Sequence, residues 1–170
     1  MSEAVGSVAP VTQSDAAGDQ PAYDLIELFF FAYRDFVSDP DRILAEYGFG
    51  RAHHRVLHFV TRRPGMTIAE LLDILKITKQ SLNRVLKELI DKGYIEQRAG
   101  DADRRQRLLS PTDEGRDLAL RMARLQTRRI ARALGGEEAE DAVARFLIGM
   151  IDPVERAKVR KRLSDANMGA

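Results

Sequence analysis

Apolar residues recur at three- and four-residue spacing through most of the chain after about residue 22, the period of amphipathic helices. The first helix is predicted over 22–38. Leu25, Leu28, Phe29, Ala32 and Phe36 form one apolar stripe, and Ile26, Phe30, Tyr33 and Val37 form a second. A helix apolar nearly all round needs cover on nearly all sides. A partner subunit would supply it, and so would a place at the centre of a core. Asp39-Pro40 reads as the stop of this helix, followed by a short turn at 43–47 and a Gly48-Phe49-Gly50 loop. The second helix spans 51–62, with Ala52, Val56, Phe59 and Val60 inward, and Pro64-Gly65 ends it.

Thr67-Ile68-Ala69-Glu70 has the form of a capping box that opens a third helix burying Ile68, Leu71, Leu72 and Leu75. A fourth helix starts a few residues on. Thr78 caps it, and Leu82, Val85, Leu86, Leu89 and Ile90 line one face. Gly93 fits a left-handed helix end. Strands are predicted at 94–98 and 107–110, joined by the polar tip Ala99-Gly100-Asp101-Ala102-Asp103-Arg104-Arg105-Gln106. Thr112 caps a long helix to about 134, and Gly135-Gly136 interrupts it. A helix over 137–151 turns Val143, Phe146, Leu147, Met150 and Ile151 inward. Asp152-Pro153 restarts the helix, with Glu155 three residues beyond the cap. Residues 1–20 are rich in Ser, Ala, Gly, Asp and Gln and read as a disordered tail.

The formal net charge of the 170 residues is +1, which argues against a generic polyanion binder if charge is evenly spread. It is not. Residues 1–24 hold four acidic and no basic residues. From Lys76 to Arg107 nine basic residues face five acidic ones, and 116–132 holds six Arg and one Asp, before the acidic run EEAED at 137–141. A basic middle between acidic ends suits a local anionic partner, although a solvated charged surface gives the same counts. The absence of Cys excludes a disulfide scaffold, a thiolate metal site, a cysteine nucleophile and thiol sensing. No stretch is long and apolar enough for a membrane span, and the first residues lack the basic start of a secretory signal. A cytoplasmic protein without membrane contact is expected.

Two short helices joined by a tight turn and followed by a hairpin form a winged helix-turn-helix. Opposite its leucines the fourth helix carries Gln80, Ser81, Asn83, Arg84 and Lys87. Gln and Asn pair with adenine edges and Arg with guanine, whereas Lys79 and Lys87 suit phosphates, and Thr78 at the helix start counts among the DNA-binding candidates. A merely solvated face leaves the Arg-rich hairpin unexplained. Its Arg104 and Arg105 suit a narrow minor groove. Asp101 and Asp103 would shape the tip by turn bonding and by pairing with these arginines.

The run from Thr67 to Gly115 resembles the core of the MarR family of bacterial winged-helix regulators. It carries Lys92-Gly93-Tyr94-Ile95 at the helix end, Asp103-Arg104-Arg105 in the wing and Thr112-Asp113-Glu114-Gly115 at the next helix. The resemblance covers about residues 22–150. It implies a mainly α fold with long terminal dimerisation helices, a homodimer and a palindromic double-stranded operator. It further implies that Gln80, Ser81, Asn83 and Arg84 read bases and that Arg105 enters the minor groove. Two positions depart from the family pattern. Lys87-Glu88 stands where many members have Asp and a basic residue, the Asp pairing with the wing Arg. Pro111 replaces a usual Leu and would shorten the second strand's pairing.

The implied organisation is a tail at 1–20, a dimerisation helix and loop at 21–50, a DNA-binding lobe at 51–111, dimerisation helices at 112–164 and a tail at 165–170. The expected function is a dimeric, sequence-specific transcriptional repressor; the competing reading is a winged-helix module for protein–protein contact. An enzyme is not expected: nucleophile, phosphate loop and paired carboxylates are missing from the motifs, and no cofactor is implied. Tyr33, Tyr47, His54 and His58 are the candidates for a small-molecule effector pocket, with packing of the dimer core as the plainer reading. His54 and His58 stand at i, i+4, a spacing that clamps metals. No further ligand accompanies them, so no metal is expected. The arginines of 116–132 would hold flanking phosphates at the start of their helix and pair with EEAED further along.

Overall fold

The computed structural model describes residues 20–100 and 103–168. The reading of residues 1–20 as a tail therefore falls almost wholly outside the described residues. Among the described residues seven helices and three strands follow in the order α1 (Tyr23–Ala45), α2 (Arg51–Arg62), β1 (Met66–Thr67), α3 (Ile68–Leu75), α4 (Lys79–Asp91), β2 (Ile95–Ala99), β3 (Arg107–Pro111), α5 (Asp113–Leu134), α6 (Glu137–Met150) and α7 (Pro153–Met168). The chain divides into two compact units, with the boundary between Arg34 and Asp35, inside α1.

In the first unit the helix exposes Leu25, Ile26, Leu28, Phe29, Phe30, Phe31 and Tyr33; Phe30 is 69% exposed. The Arg34 guanidinium lies 5.3 Å from the centre of the Phe31 ring.

The second unit holds the core. Val56, Leu57, Leu71, Leu82, Leu89, Leu109 and Met122 are fully buried there. On α2 the buried residues are Val56, Leu57 and Val60; Ala52, expected inward, is exposed. The capping box forms as the sequence predicts. Glu70 N–H donates to Thr67 Oγ1 at 3.2 Å, and Thr67 N–H donates to Glu70 Oε2 at 2.7 Å. Strand order is β1-β3-β2, antiparallel throughout. The sequence reading missed β1, because two residues are too short to show a period.

Four expectations are corrected. Asp39-Pro40 does not end α1, which runs on to Ala45 with Pro40 buried. Asp39 is held there by Arg129 at 2.9 Å and Arg42 at 2.6 Å, which keep its carboxyl below the usual range. Pro111 does not shorten β3: it is buried opposite Ile95 at the end of the register, where no ladder N–H is lost to it. The inward face expected for α6 is exposed in the single chain, with Val143, Phe146, Leu147 and Met150 between 43% and 61% accessible. The helix α7 continues past 164 to Met168, with Ala166 buried. Asp152 caps α7 by accepting from Val154 N–H at 3.0 Å. The helix docks on the lobe through an Arg162–Asp73 ion pair, an Arg63 bond to the Arg162 carbonyl at 2.7 Å and a Lys76–Glu155 pair at 3.8 Å.

Candidate nucleic-acid interface

The helix-turn-helix is built by two caps and one unusual residue. Lys76 ends α3 in the left-handed conformation, φ 51°. A non-glycine residue there carries steric strain, and its ammonium is held by Asp73 at 2.8 Å. Thr78 then opens α4, accepting from Ser81 N–H at 3.1 Å and donating to Ser81 Oγ at 2.9 Å. The Thr78 hydroxyl thus caps the helix, and its bond to Ser81 Oγ holds it in place, which orients the first turn.

One face of α4 buries Leu82, Val85, Leu86 and Leu89. The other exposes Lys79, Gln80, Ser81, Asn83, Arg84 and Lys87. Gln80, Asn83 and Arg84 form no side-chain bond with any described residue, so their donors and acceptors face solvent. Lys87 is different. It pairs with Asp91 one turn on, which raises its pKa and ties its charge to its own helix.

The wing follows from β2 and β3. Its tip closes by Gly100 N–H to the Gln106 carbonyl at 3.1 Å and Gln106 N–H to the Asp103 carbonyl at 3.0 Å. A side chain at Gly100 would meet the Asp103 carbonyl oxygen at 2.9 Å, so the tip needs glycine there. Asp103 accepts from Arg105 N–H at 2.9 Å. Turn bonding by Asp103 is thus present. The expected pairing of Asp103 with wing guanidiniums is not: Arg104 and Arg105 are exposed and form no ion pair with described residues. Asp101 lies outside the described residues.

Sequence reasoning passed over the supports behind this surface. His53, Phe49, Tyr47 and Tyr94 pack at the back of α4, and Lys92 donates to the Tyr47 carbonyl at 2.6 Å with its ammonium 4.7 Å from the Phe49 ring. Tyr47, Phe49 and His53 lie close together in sequence, but Lys92 and Tyr94 are distant from them, so only the local ring cluster was a signal. The Thr112-x-x-Gly115 motif also takes a structural meaning. The Thr112 hydroxyl donates to the Gly93 carbonyl at 2.7 Å and accepts from Gly115 N–H at 3.0 Å.

Of the proposed effector residues, Tyr33 belongs to the first unit and Tyr47, His54 and His58 to the second. Tyr33 is exposed in the first unit. In the second, Tyr47 stacks beside Phe49 and Tyr94 and accepts from Arg121 Nη1 at 2.7 Å. His54 and His58 instead contact each other, ring centres 6.4 Å apart, and His58 meets Phe59. Burial, with His58 adding to it, lowers the His54 pKa to about 4, and burial lowers that of His58 as well. An open cleft of about 330 Å³ lies elsewhere, lined by Ile43, Arg121, Arg124, Leu125 and Arg128. Among the described residues no pairing of the α5 arginines with EEAED is found: Arg129 binds Asp39 and Arg121 binds Tyr47.

Two short helices with an exposed polar face, backed by a three-stranded wing, define a winged helix-turn-helix protein. The model of the MarR family matches residues 47–106. The HTH-type transcriptional regulator PetP of Rhodobacter capsulatus is 46% identical over 133 residues, covering 77% of this chain and 80% of that protein. Among solved structures, a MarR protein from Peptoclostridium difficile matches with TM-score 0.65 at 23% identity, over 91% of this chain and 99% of that one. A mutant MarR from E. coli complexed with operator DNA matches with TM-score 0.59 at 18% identity, over 78% and 100%. The chain belongs to the MarR family of DNA-binding transcriptional regulators, which is not a family of enzymes. Among the described residues no helix is long and apolar enough to cross a membrane.

Proposed function

We propose that this protein is a homodimeric repressor that binds a palindromic operator. Gln80, Asn83 and Arg84 read base edges in the major groove, and Ser81 and Thr78 orient the helix start. Lys79 holds a phosphate, Lys87 joins it by exchanging Asp91 for a phosphate oxygen, and Arg105 with Arg104 enters the minor groove. The observation that carries this reading is that Gln80, Asn83 and Arg84 on α4, and Arg104 and Arg105 at the wing tip, have no side-chain partner among the described residues. Groups left unbonded within the protein keep their full capacity for a partner. The operator complex of the E. coli relative supports a duplex as that partner.

The dimer is supported by apolar surface that a single chain leaves open on the first half of α1 and on α6. Two recognition helices related by a two-fold axis read half-sites about 34 Å apart. Repression follows from occupancy, since a bound dimer covers the promoter it reads. Release by a small non-covalent ligand belongs to the same proposal and is tested by titrating aromatic acids into the bound complex.

Selection of duplexes from a random pool, followed by mobility shift, tests the reading. Arg84→Ala relaxes base choice and costs about 1–3 kcal/mol at the cognate site. Arg105→Ala weakens binding through the minor groove while the dimer persists. Tight binding without preference among sequences refutes a specific regulator, and no binding to any duplex favours the protein-contact module.

A further inference from the structure

Helix α4 carries a glutamate, Glu88, four residues after Arg84. Residues at that spacing are neighbours on a helix surface. A free carboxylate there would draw the Arg84 guanidinium to itself and repel the phosphates of a duplex. Arg84 forms no such pair, because Glu88 is held elsewhere: its Oε2 lies 2.8 Å from Nε2 of His53 on α2.

The geometry sets the protonation of that ring. His53 Nδ1 accepts from Gly50 N–H at 3.1 Å. A nitrogen that accepts carries no proton in the neutral ring, so Nε2 carries it and donates to Glu88. The ring is rigidly placed. It stacks on Phe49 at 4.7 Å with 22° between planes, and its side chain is 12% exposed. On its other side Phe49 faces the Lys92 ammonium, which bonds the Tyr47 carbonyl. Glu88 and Lys92 therefore fasten the last turns of α4 to the start of α2 and the loop before it.

We propose that His53 is a positioning residue for DNA recognition: by holding Glu88 it keeps Arg84 unpaired and fixes the recognition helix. This rests on the DNA-reading role of α4 proposed above. It touches no base and acts only through Glu88.

The full-length protein and the duplex it selects from a random pool provide the test. His53→Ala weakens binding of that duplex about tenfold, the scale of one lost charge-assisted contact. Adding Glu88→Gln to His53→Ala removes the freed charge and restores affinity to within about threefold. Restoration is the decisive readout, since a purely packing role for His53 predicts a loss that Glu88→Gln leaves in place; that outcome overturns the proposal. Wild-type affinity in a folded His53→Ala also overturns it. Ring ¹⁵N shifts of His53 in the unmodified protein give a test independent of variants and of DNA: an Nε2–H ring is expected, and an Nδ1–H ring overturns the geometry. A wild-type protein that selects no duplex overturns the regulator reading itself, and this appears before any variant is made.

Discussion

Replacing Gly115 by Ala sets two effects of opposite sign against each other. Gly115 sits in the first turn of α5 without a positive φ, so helix propensity alone favours Ala by about 1 kcal/mol. Packing opposes it. A methyl group there would stand 1.9 Å from the Tyr94 carbonyl oxygen and 2.9 Å from its carbon. Ordinary carbon–oxygen approaches stop near about 3.3 Å, so the helix and Tyr94 must part by more than an ångström. The obstacle at Tyr94 is backbone between α4 and β2, with no flexible side-chain end to swing away. The Thr112 N–H bond to the Tyr94 carbonyl at 3.2 Å and the Thr112 hydroxyl bond to Gly93 both stretch. Two weakened bonds at about 1 kcal/mol each add to an overpacking cost of about 1–3 kcal/mol. After the propensity gain, the net destabilisation is roughly 2–4 kcal/mol. In a chain of this size that lowers Tm on the order of 5–10 °C. Circular-dichroism melting at one fixed protein concentration measures it. Asp117→Ala, at an exposed position further along α5, is the control and stays within about 0.5 kcal/mol. A Tm for Gly115→Ala at or above that of the unmodified protein means that the close approach of α5 to Tyr94 does not govern this position.

Leu147→Glu places a charge among the exposed apolar residues of α6; sedimentation of the variant is expected to show monomers where the unmodified protein sediments as a dimer. His54, lowered to about 4 by burial, makes folding pH-dependent. The unfolded chain binds a proton there below about 6.5 while the folded chain resists until about 4, so stability falls as pH drops through that window. Urea titrations at several pH values are expected to show this slope reduced in His54→Gln. Asp73, held to about 2 by Lys76 and Arg162, acts at lower pH with the same sign. Its contribution is full above the ordinary carboxylate range and is lost as pH falls toward 2. Asp73→Asn is expected to remove that acid limb and to raise amide exchange in α7.

The fold was legible wherever local chemistry decides the outcome. Thr67, Thr78 and Thr112 cap helices because each hydroxyl reaches an N–H three residues on, and sequence alone places them. Gly93 and Gly135 end helices with positive φ for an equally local reason. Legibility stopped where distant residues decide. Asp39-Pro40 has the local form of a break, yet Arg129, ninety residues away, binds Asp39 and α1 runs through it. Nothing local in sequence points Arg129 of α5 to Asp39, and only packing brings the two together. The apolar face of α6 was correctly periodic, but periodicity does not say whether its cover comes from the same chain. In the site, the exposed face of α4 could be read directly, because amphipathic spacing sorts exposed polar residues from core residues. His53 could not, because its meaning depends on Glu88, thirty-five positions away.

The departure at Lys87-Glu88 changes how this chain holds α4, the recognition helix proposed above. The family resemblance implies an acidic residue that ties the recognition helix to the wing arginine. Here Lys87 turns to Asp91 on the same helix, and Glu88 turns back to His53 on α2. The wing tip closes on itself through Asp103 and Gly100. The recognition helix is thus anchored from behind, by α2 and by the loop that ends α1, and the wing arginines carry no helix-fixing duty. Base choice and minor-groove contact are then separable. Arg105→Ala is expected to lower affinity for every duplex in proportion and leave the selected half-site unchanged. Lys92→Ala, which removes an anchor at the back of α4, is expected to blur the half-site itself. If instead Arg105→Ala alters which bases are selected, the wing does orient the helix, and anchoring from behind does not suffice to fix it.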